Sequence, residues 1–552
     1  MSKQQQTCRQ PESERWMNTT ESHTLENERA KYLIAGILLL AAAVRFAFIG
    51  RESLWFDELY NVWANQMPFV DMLKEQVVGG HPPLYYIVVR VWYAFGTGEI
   101  WVRSFSALAG VATVFFTYLA GKDMFSRRAG LWAAAFTALS PLLVMYSRAN
   151  TFYSLMIALT ALSLWLLVRA SLRGGWVNWA AYTAAAAAVM MSYFFGVVMV
   201  GAGWLVFWII RRGENRKLAP WVTSQASLLL VTAGSFLLSR RAVSEPSRLG
   251  FPGSDRLAAF LYMLAVSPFV LFAGRIDDSI IFSGTESRPV SHVIVLAIIA
   301  ISILLAFILS RSSRDLLLTR ETVALAIYVL LLMTGPQLLQ LVNGGRLSSR
   351  FYVWAVPAFM LLVGAAVAAI PRRVGLVFGG VLVAVLLSFT VIEVQYKESG
   401  DADWRALMGT VAGNQAEGDL MMSLPMHNGQ LAASYYLPRQ LPIVGGMPSQ
   451  DSDAIYFMQP GETWGGYRSG YWVGSGAEPP LSGIEQEERI AMDIADARRL
   501  WFVSERDILA KYPGVKQVLE EGWVEKQRWD YPPFMLILYE PLPEASAQGL
   551  PE

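Results

Sequence analysis

Two acids stand side by side in the aromatic stretch SLWFDELYNVW, residues 53–63, just after the first long apolar run of the chain. An ionised carboxylate beside hydrocarbon is costly unless it is solvated, paired or used, so Asp57 and Glu58 need a reason to be there. On a helix, Phe56, Tyr60, Trp63 and Met67 form one stripe and Asp57, Asn61 and Ala64 the next. That pattern predicts a helix lying along a membrane interface with its acid turned toward water or a cavity. Successive helical residues diverge by about 100°, so the two acids need not form a dyad; one is expected to face the chemistry and the other to support the fold. Further on, GGHPPLYY (79–86) ends any preceding helix at two prolines and brings His81, titratable near neutral pH, to the same side. Read by itself, that stretch is a capped turn leading into an interfacial helix.

The elements that must position these groups belong to a membrane protein. The 552 residues are 54% hydrophobic and 16% charged. With a mean hydropathy of +0.37, the chain is too apolar for an ordinary soluble protein and has the balance of a polytopic one. A net charge of +1 points to no particular partner and gives no reason to expect nucleic acid. The single cysteine, Cys8, excludes disulfides within the chain and metal sites built on cysteine. Residues 1–31, polar and without periodicity, are expected to be a disordered cytosolic tail, in which the NTT at Asn18 carries no glycan.

From residue 32 apolar runs alternate with short polar connections, each run near the ~20 residues a helix needs to cross hydrocarbon. Spans are predicted near 32–50, 100–120, 129–146, 151–170, 176–191, 194–211, 219–238, 291–309, 322–342, 351–370 and 373–395, roughly eleven. Lys122, Arg127 and Arg128 share one loop and Arg169 and Arg173 the next. Arg211, Arg212, Arg216 and Lys217 share another, as do Arg311, Arg314 and Arg320, and then Arg372 and Arg373. All of these fall on the tail's side of the membrane if 257–274 is interfacial or re-entrant. The outer loop 51–99, the loop 239–290 and everything after 396 are then extracytosolic.

Residues 32–396 are thus read as the membrane domain and 397–552 as a soluble α/β domain. In the latter, the short apolar runs DLMMSLP, QLPIVGG, RLWFVSE and FMLILYEP suggest strands separated by helices. Its segment TWGGYRSGYW (463–472) could stack on a sugar ring or fill a local core.

The order WFDE, HPPLYY, EIWVRSFSALAGVATVFFTYLAGKDMFSRRAGLWAAAFTALSPLLVMYS and SYFFGV resembles the dolichyl-phosphate-mannose protein mannosyltransferases and their bacterial relatives, including the aminoarabinose transferase acting on lipid A. The resemblance to these GT-C glycosyltransferases is dense over 51–210. It returns in RFYVWAVPAF (350–359) and in DWRALM (403–408), which resembles the start of the family's periplasmic domain.

The resemblance implies an inverting transfer of a hexose or pentose from a polyprenyl-phosphate carrier to an acceptor protein, lipid or glycan outside the membrane, here the bacterial inner membrane. Asp57 matches the family's first-loop aspartate and would be the general base or position the acceptor, with Glu58 beside it as a second catalytic acid. The leaving phosphate calls for arginines. Arg148, Arg240, Arg241, Arg248, Arg346 and Arg350 lie on the expected face, Arg350 opening the family's Arg-Tyr/Phe motif. His81, Tyr85 and Tyr153 complete the implied substrate contacts.

This chain departs from the family in YSRANTFY (146–153), where Ala149 and Thr151 stand in place of Glu and Arg, and at Ser192 in place of a His. A different substrate, a rearranged site or weakened activity would follow. No cofactor is expected. A divalent metal is left open, its ligand set thin. A lipid-linked sugar transporter or flippase, or a catalytically silent scaffold, are the competing readings.

Overall fold

A computed structural model describes residues 12–78, 82–211, 218–243, 319–343, 349–395, 403–448, 455–457 and 481–542. The chain opens with α1 (Glu12–Phe46), which is already helical through the polar residues 12–31 that composition assigns to a disordered tail. The physical reason is propagation: once the apolar half forms a helix, each further residue adds a hydrogen bond without a new nucleus. Three short helices, α2 (Phe56–Ala64), α3 (Phe69–Val78) and α4 (Leu84–Tyr93), fall in the stretch expected to be the outer loop. Then come α5 (Glu99–Met124), α6 (Arg127–Ala138), α7 (Pro141–Ser147), α8 (Tyr153–Arg173), α9 (Trp176–Met190), α10 (Gly196–Ile210) and α11 (Ala219–Val243). After residue 318 follow α12 (Arg320–Asn343), a 3-10 turn (Ser349–Ala355), α13 (Val356–Ala369) and α14 (Arg372–Gln395). The expected span 291–309 and the segment 257–274 lie outside the described residues.

Among the described residues, α5, α8, α12 and α14 are each long and apolar enough to cross a membrane, and α6 with α7 makes one more span bent by 60°. The bend falls at Pro141, which has no N–H to offer the carbonyl four residues back. Carbonyls freed inside hydrocarbon must find donors within the protein. Arg45, wholly buried on α1, supplies them to Ala138 (3.0 Å) and Thr137 (3.5 Å). Thr390 of α14 supplies one to Leu139 at 2.7 Å. Nearby, α5 and α6 approach closely at Gly121 and Gly130, where a Cβ on the first would sit 2.7 Å from the Cα of the second.

Beyond α14, α15 (Trp404–Asn414) leads into β1 (Asp419–Leu424), α16 (Met426–Tyr436), β2 (Ile443–Pro448) and β3 (Ile455–Phe457). After these come α17 (Ile484–Ile494), β4 (Arg499–Glu505), α18 (Ile508–Lys511), α19 (Pro513–Gly522), β5 (Trp523–Tyr531) and β6 (Phe534–Pro541). The strands form one six-stranded sheet ordered β3-β2-β1-β4-β6-β5. β2, β1 and β4 run parallel at its centre and β6 returns antiparallel on β4. The central strands are near-continuous apolar runs because both faces are covered. Met422, Leu500, Phe502 and Ile537 pack on one side against α17 and α19. On the other side, Met421, Trp501, Val503 and Leu536 join α15 and α16 in a single cluster with Leu54, Leu59, Tyr85 and Val89 of the outer loop. The segment 463–472 lies outside the described residues.

Asp419 ties β1 to β4: its carboxylate accepts from Arg499 (2.8 and 2.7 Å) and from the Trp501 indole (2.8 Å). Burial by itself would raise this acid, but the bonds from Arg499, the Ala416 amide and Trp501 outweigh it and hold the group below its ordinary 3.8. A depressed carboxylate contributes stability that is complete above its unfolded value and fades as pH falls through the lower folded one. Asp419→Asn should therefore unfold more easily than the wild type near neutral pH, with the two converging in acid. Denaturation midpoints at several pH values check this, and a gap that does not change with pH would show that the ionised form is not what binds the strands.

Candidate active site

The first turn of α2 carries both acids, and its helical pitch sends them in different directions. Glu58 has no exposed surface. Arg103, near the start of α5, grips it with Nε to Oε1 at 2.8 Å and Nη2 to Oε2 at 2.5 Å. The backbone N–H of Asn150 donates to Oε1 at 2.6 Å and that of Trp55 to Oε2 at 3.3 Å. An ion pair out of water holds only when its remaining hydrogen-bonding capacity is met, and here it is. The other guanidinium protons of Arg103 reach the carbonyls of Ile49 (2.9 Å), Glu52 (2.8 Å) and Ser53 (2.9 Å), the strip of chain that delivers α2.

Asn150 extends the network. Its carbonyl accepts from the Asn61 amide at 2.7 Å, and its Oδ1 accepts from the hydroxyls of Tyr85 (3.0 Å) and Tyr93 (2.7 Å). The turn between α7 and α8 is thereby fastened to α2 and α4. Asp57, one position before Glu58, is half-buried on a different face of the helix. It lies near enough to Tyr86 to act on its phenol: burial first, then Tyr60, then the Asp57 charge hold that hydroxyl well above its ordinary pKa.

The structure places several of the expected site residues in buried packing and hydrogen-bond networks. Glu58, expected to share the chemistry, has both oxygens accepting hydrogen bonds, from Arg103 and from the Asn150 and Trp55 amides. Tyr85, expected at the substrate, is fully buried with its hydroxyl committed to Asn150. Tyr153 is buried in an aromatic cluster, stacked at 4.2 Å on Phe152 and packed at 4.6 Å on Tyr146. Arg148, expected at the phosphate, donates to the carbonyls of Val44, Ala47 and Phe48 at the end of α1, groups left without intrahelical partners. Arg240 and Arg241 ride on the last turns of α11, and Arg350 on the 3-10 turn before α13. His81, Arg248 and Arg346 lie outside the described residues.

Arg103 and Asn150 were legible only in part. Arg103 is a lone cation at the head of an apolar run, an arrangement that asks for an acid; nothing local says that the acid lies 45 positions earlier. Asn150 occupies the stretch in which Ala149 and Thr151 depart from the family pattern, and its backbone N–H does as much as its side chain. Among the described residues no group of three or more His, Cys, Asp or Glu comes together as a metal site requires.

Residues 80–235 match the family model described as dolichyl-phosphate-mannose-protein mannosyltransferase. No curated protein matches the chain significantly. Among solved structures, apo ArnT from Cupriavidus metallidurans is similar with a TM-score of 0.58 at 13% identity, over 92% of this chain and 98% of that one. The same protein bound to undecaprenyl phosphate gives 0.55 at 13% identity, over 92% and 97%. An oligosaccharyltransferase from Archaeoglobus fulgidus, tethered to an acceptor peptide, gives 0.50 at 11% identity, over 90% and 73%. At these identities the likeness is one of fold.

The two acids should separate cleanly in stability. Glu58→Gln leaves the Arg103 charge buried without its counterion, a loss of about 3–5 kcal/mol. Asp57→Asn keeps the size and most of the hydrogen bonding of a half-buried side chain and strands no fully buried counterion, so its loss should be smaller. Thermal unfolding in detergent should show a large fall in midpoint for the first and little change for the second. Equal falls would mean that both carboxylates serve the fold.

Proposed function

We propose that the chain, which matches the mannosyltransferase family model over residues 80–235 and shares the fold of ArnT, is a PMT-type GT-C enzyme that moves a sugar from a polyprenyl-phosphate carrier to an acceptor on the outer face of a bacterial inner membrane. The acceptor's hydroxyl oxygen bonds to the anomeric carbon from the face opposite the phosphate, so the configuration inverts. As that bond forms, the hydroxyl proton passes to the Asp57 carboxylate, and the bond from carbon to phosphate oxygen breaks with its electrons leaving on the polyprenyl phosphate. A hydroxyl is a poor nucleophile until a base accepts its proton, which is the part assigned to Asp57.

The negative charge that grows on the leaving phosphate needs cations held in place beforehand. Arg350 is the first candidate, with Arg240, Arg241, Arg248, Arg346 and His81 behind it. Arg148, Tyr85 and Tyr153 serve as supports. The fold shared with ArnT, solved with undecaprenyl phosphate, supports a polyprenyl phosphate as the carrier. The observation that carries the reading is the division between two adjacent acids. Glu58 is spent entirely on a buried ion pair, while the half-buried Asp57 beside it is held in place by that pair.

The test is transfer of labelled sugar from a panel of polyprenyl-phosphate sugars in membranes carrying the wild type or Asp57→Asn at matched expression. Asparagine keeps size and most hydrogen bonding while removing basicity. The variant should lose about a hundredfold or more in kcat, with the active donor naming the sugar. Equal transfer by both would make Asp57 structural. No transfer of any donor by the wild type would remove the glycosyltransferase reading and bring the transporter forward.

A further inference from the structure

The strip of chain from Gly50 to Leu54, which leads into α2, is held from two sides. Arg103 of the membrane half takes its carbonyls from one side, as described above. From the other side come groups that belong to α15 and α16, some 350 residues later in the chain. Arg405 Nη2 donates to the carbonyls of Gly50 (3.1 Å) and Glu52 (3.0 Å). The same guanidinium is paired with Glu99 at the head of α5, with Nε to Oε1 at 3.0 Å. The backbone N–H of Trp404 donates to Ser53 Oγ at 3.1 Å.

Tyr436, at the end of α16, closes the arrangement. Its hydroxyl accepts from the Leu54 N–H at 2.7 Å and donates to Glu99 Oε1 at 2.5 Å. Leu54 has no exposed surface, so this phenol is what satisfies a buried backbone donor three residues before Asp57. Both of its hydrogen-bonding capacities are used, one on the catalytic loop and one on the membrane helix. Around these contacts the outer-loop helices and the sheet share one apolar cluster, in which Leu54, Leu59 and Val89 meet Trp404, Leu431 and Trp501.

We propose that Arg405 and Tyr436 are positioning residues, through which the C-terminal sheet braces the 50–54 strip against Glu99 and so fixes the place of Asp57. The catalytic part of this rests on the glycosyltransferase reading; the mechanical part does not. Two arginines act on one short strip: Arg103 takes the carbonyls of Ile49, Glu52 and Ser53, and Arg405 those of Gly50 and Glu52, so the chain entering α2 is fixed at successive residues and not at the ion pair alone. A base displaced by about 1 Å costs up to a hundredfold in rate, which gives the brace a purpose beyond tethering a domain.

The test uses full-length protein in detergent or nanodiscs, with Tyr436→Phe and Arg405→Lys. Phenylalanine keeps the ring in the cluster and removes both hydrogen bonds; lysine keeps the charge beside Glu99 and loses the two-carbonyl grip. Backbone amide exchange over residues 50–60 should rise about tenfold or more in each variant, with β4 and β6 unchanged. Unchanged exchange at 50–60 in both variants overturns the proposal, whatever the enzyme does. A rise spread through β4 and β6 in both also overturns it, assigning these contacts to the folding of the sheet.

In the transfer assay kcat should fall about tenfold while KM for the donor holds, and the fall should vanish in the Asp57→Asn background, since a residue acting through Asp57 has nothing left to position. A fall that persists undiminished in that background overturns the positioning role. A wild type that transfers nothing removes the glycosyltransferase reading and leaves the exchange result to decide the brace.

Discussion

The buried pair of Glu58 with Arg103 is the contact on which the outer loop depends. Two ions removed from water are tolerated only where every remaining donor and acceptor is matched, and this requirement organises the neighbourhood. The carboxylate draws in the Asn150 and Trp55 amides, and the guanidinium draws in the carbonyls of Ile49, Glu52 and Ser53. A helix of nine residues such as α2 would be marginal alone. Pinned at its first turn to α5 and to the α7–α8 turn, it becomes a fixed platform, and the residue beside the pinned acid inherits a defined position.

Polar satisfaction in an apolar setting also explains what the arginines of the membrane half do. Arg45 covers the carbonyls exposed at the α6–α7 bend, and Arg148 those at the end of α1. In water such groups would be solvated at no structural expense; beside hydrocarbon, each broken helix needs a donor from elsewhere in the chain. A guanidinium, with five protons in a planar fork, meets that need better than an ammonium, which is why these positions carry arginine. Under the proposed function, phosphate recognition would use the same residue type and would fall to cations outside these breaks.

The C-terminal sheet shares its core with the outer loop, and that continuity sets it apart from a domain hung on a linker. The strip before α2 is bonded both by an arginine from the membrane half and by one from α15, while Glu99 binds the second arginine and Tyr436 together. Chemistry at Asp57 would then depend on parts of the chain that meet only once both halves have folded.

Much of the architecture is legible without coordinates, because its signals are local. Apolar runs of the right length mark α5, α8, α12 and α14 among the described residues, and the runs DLMMSL, RLWFVSE and FMLILYEP mark strands β1, β4 and β6. The aromatic stripe before and after Asp57 marks α2, and its pitch already separates Asp57 from Glu58. What the sequence could not say is which acid faces which way, because that depends on a partner 45 positions later and on an amide 92 positions later. Nor could it tell an arginine that caps a broken helix from one that waits for phosphate, since both appear as a lone cation beside an apolar run. Periodicity and length are properties of contiguous residues and survive in one dimension; the pairing of a buried charge is a property of the folded interior, and only the tertiary structure decides it.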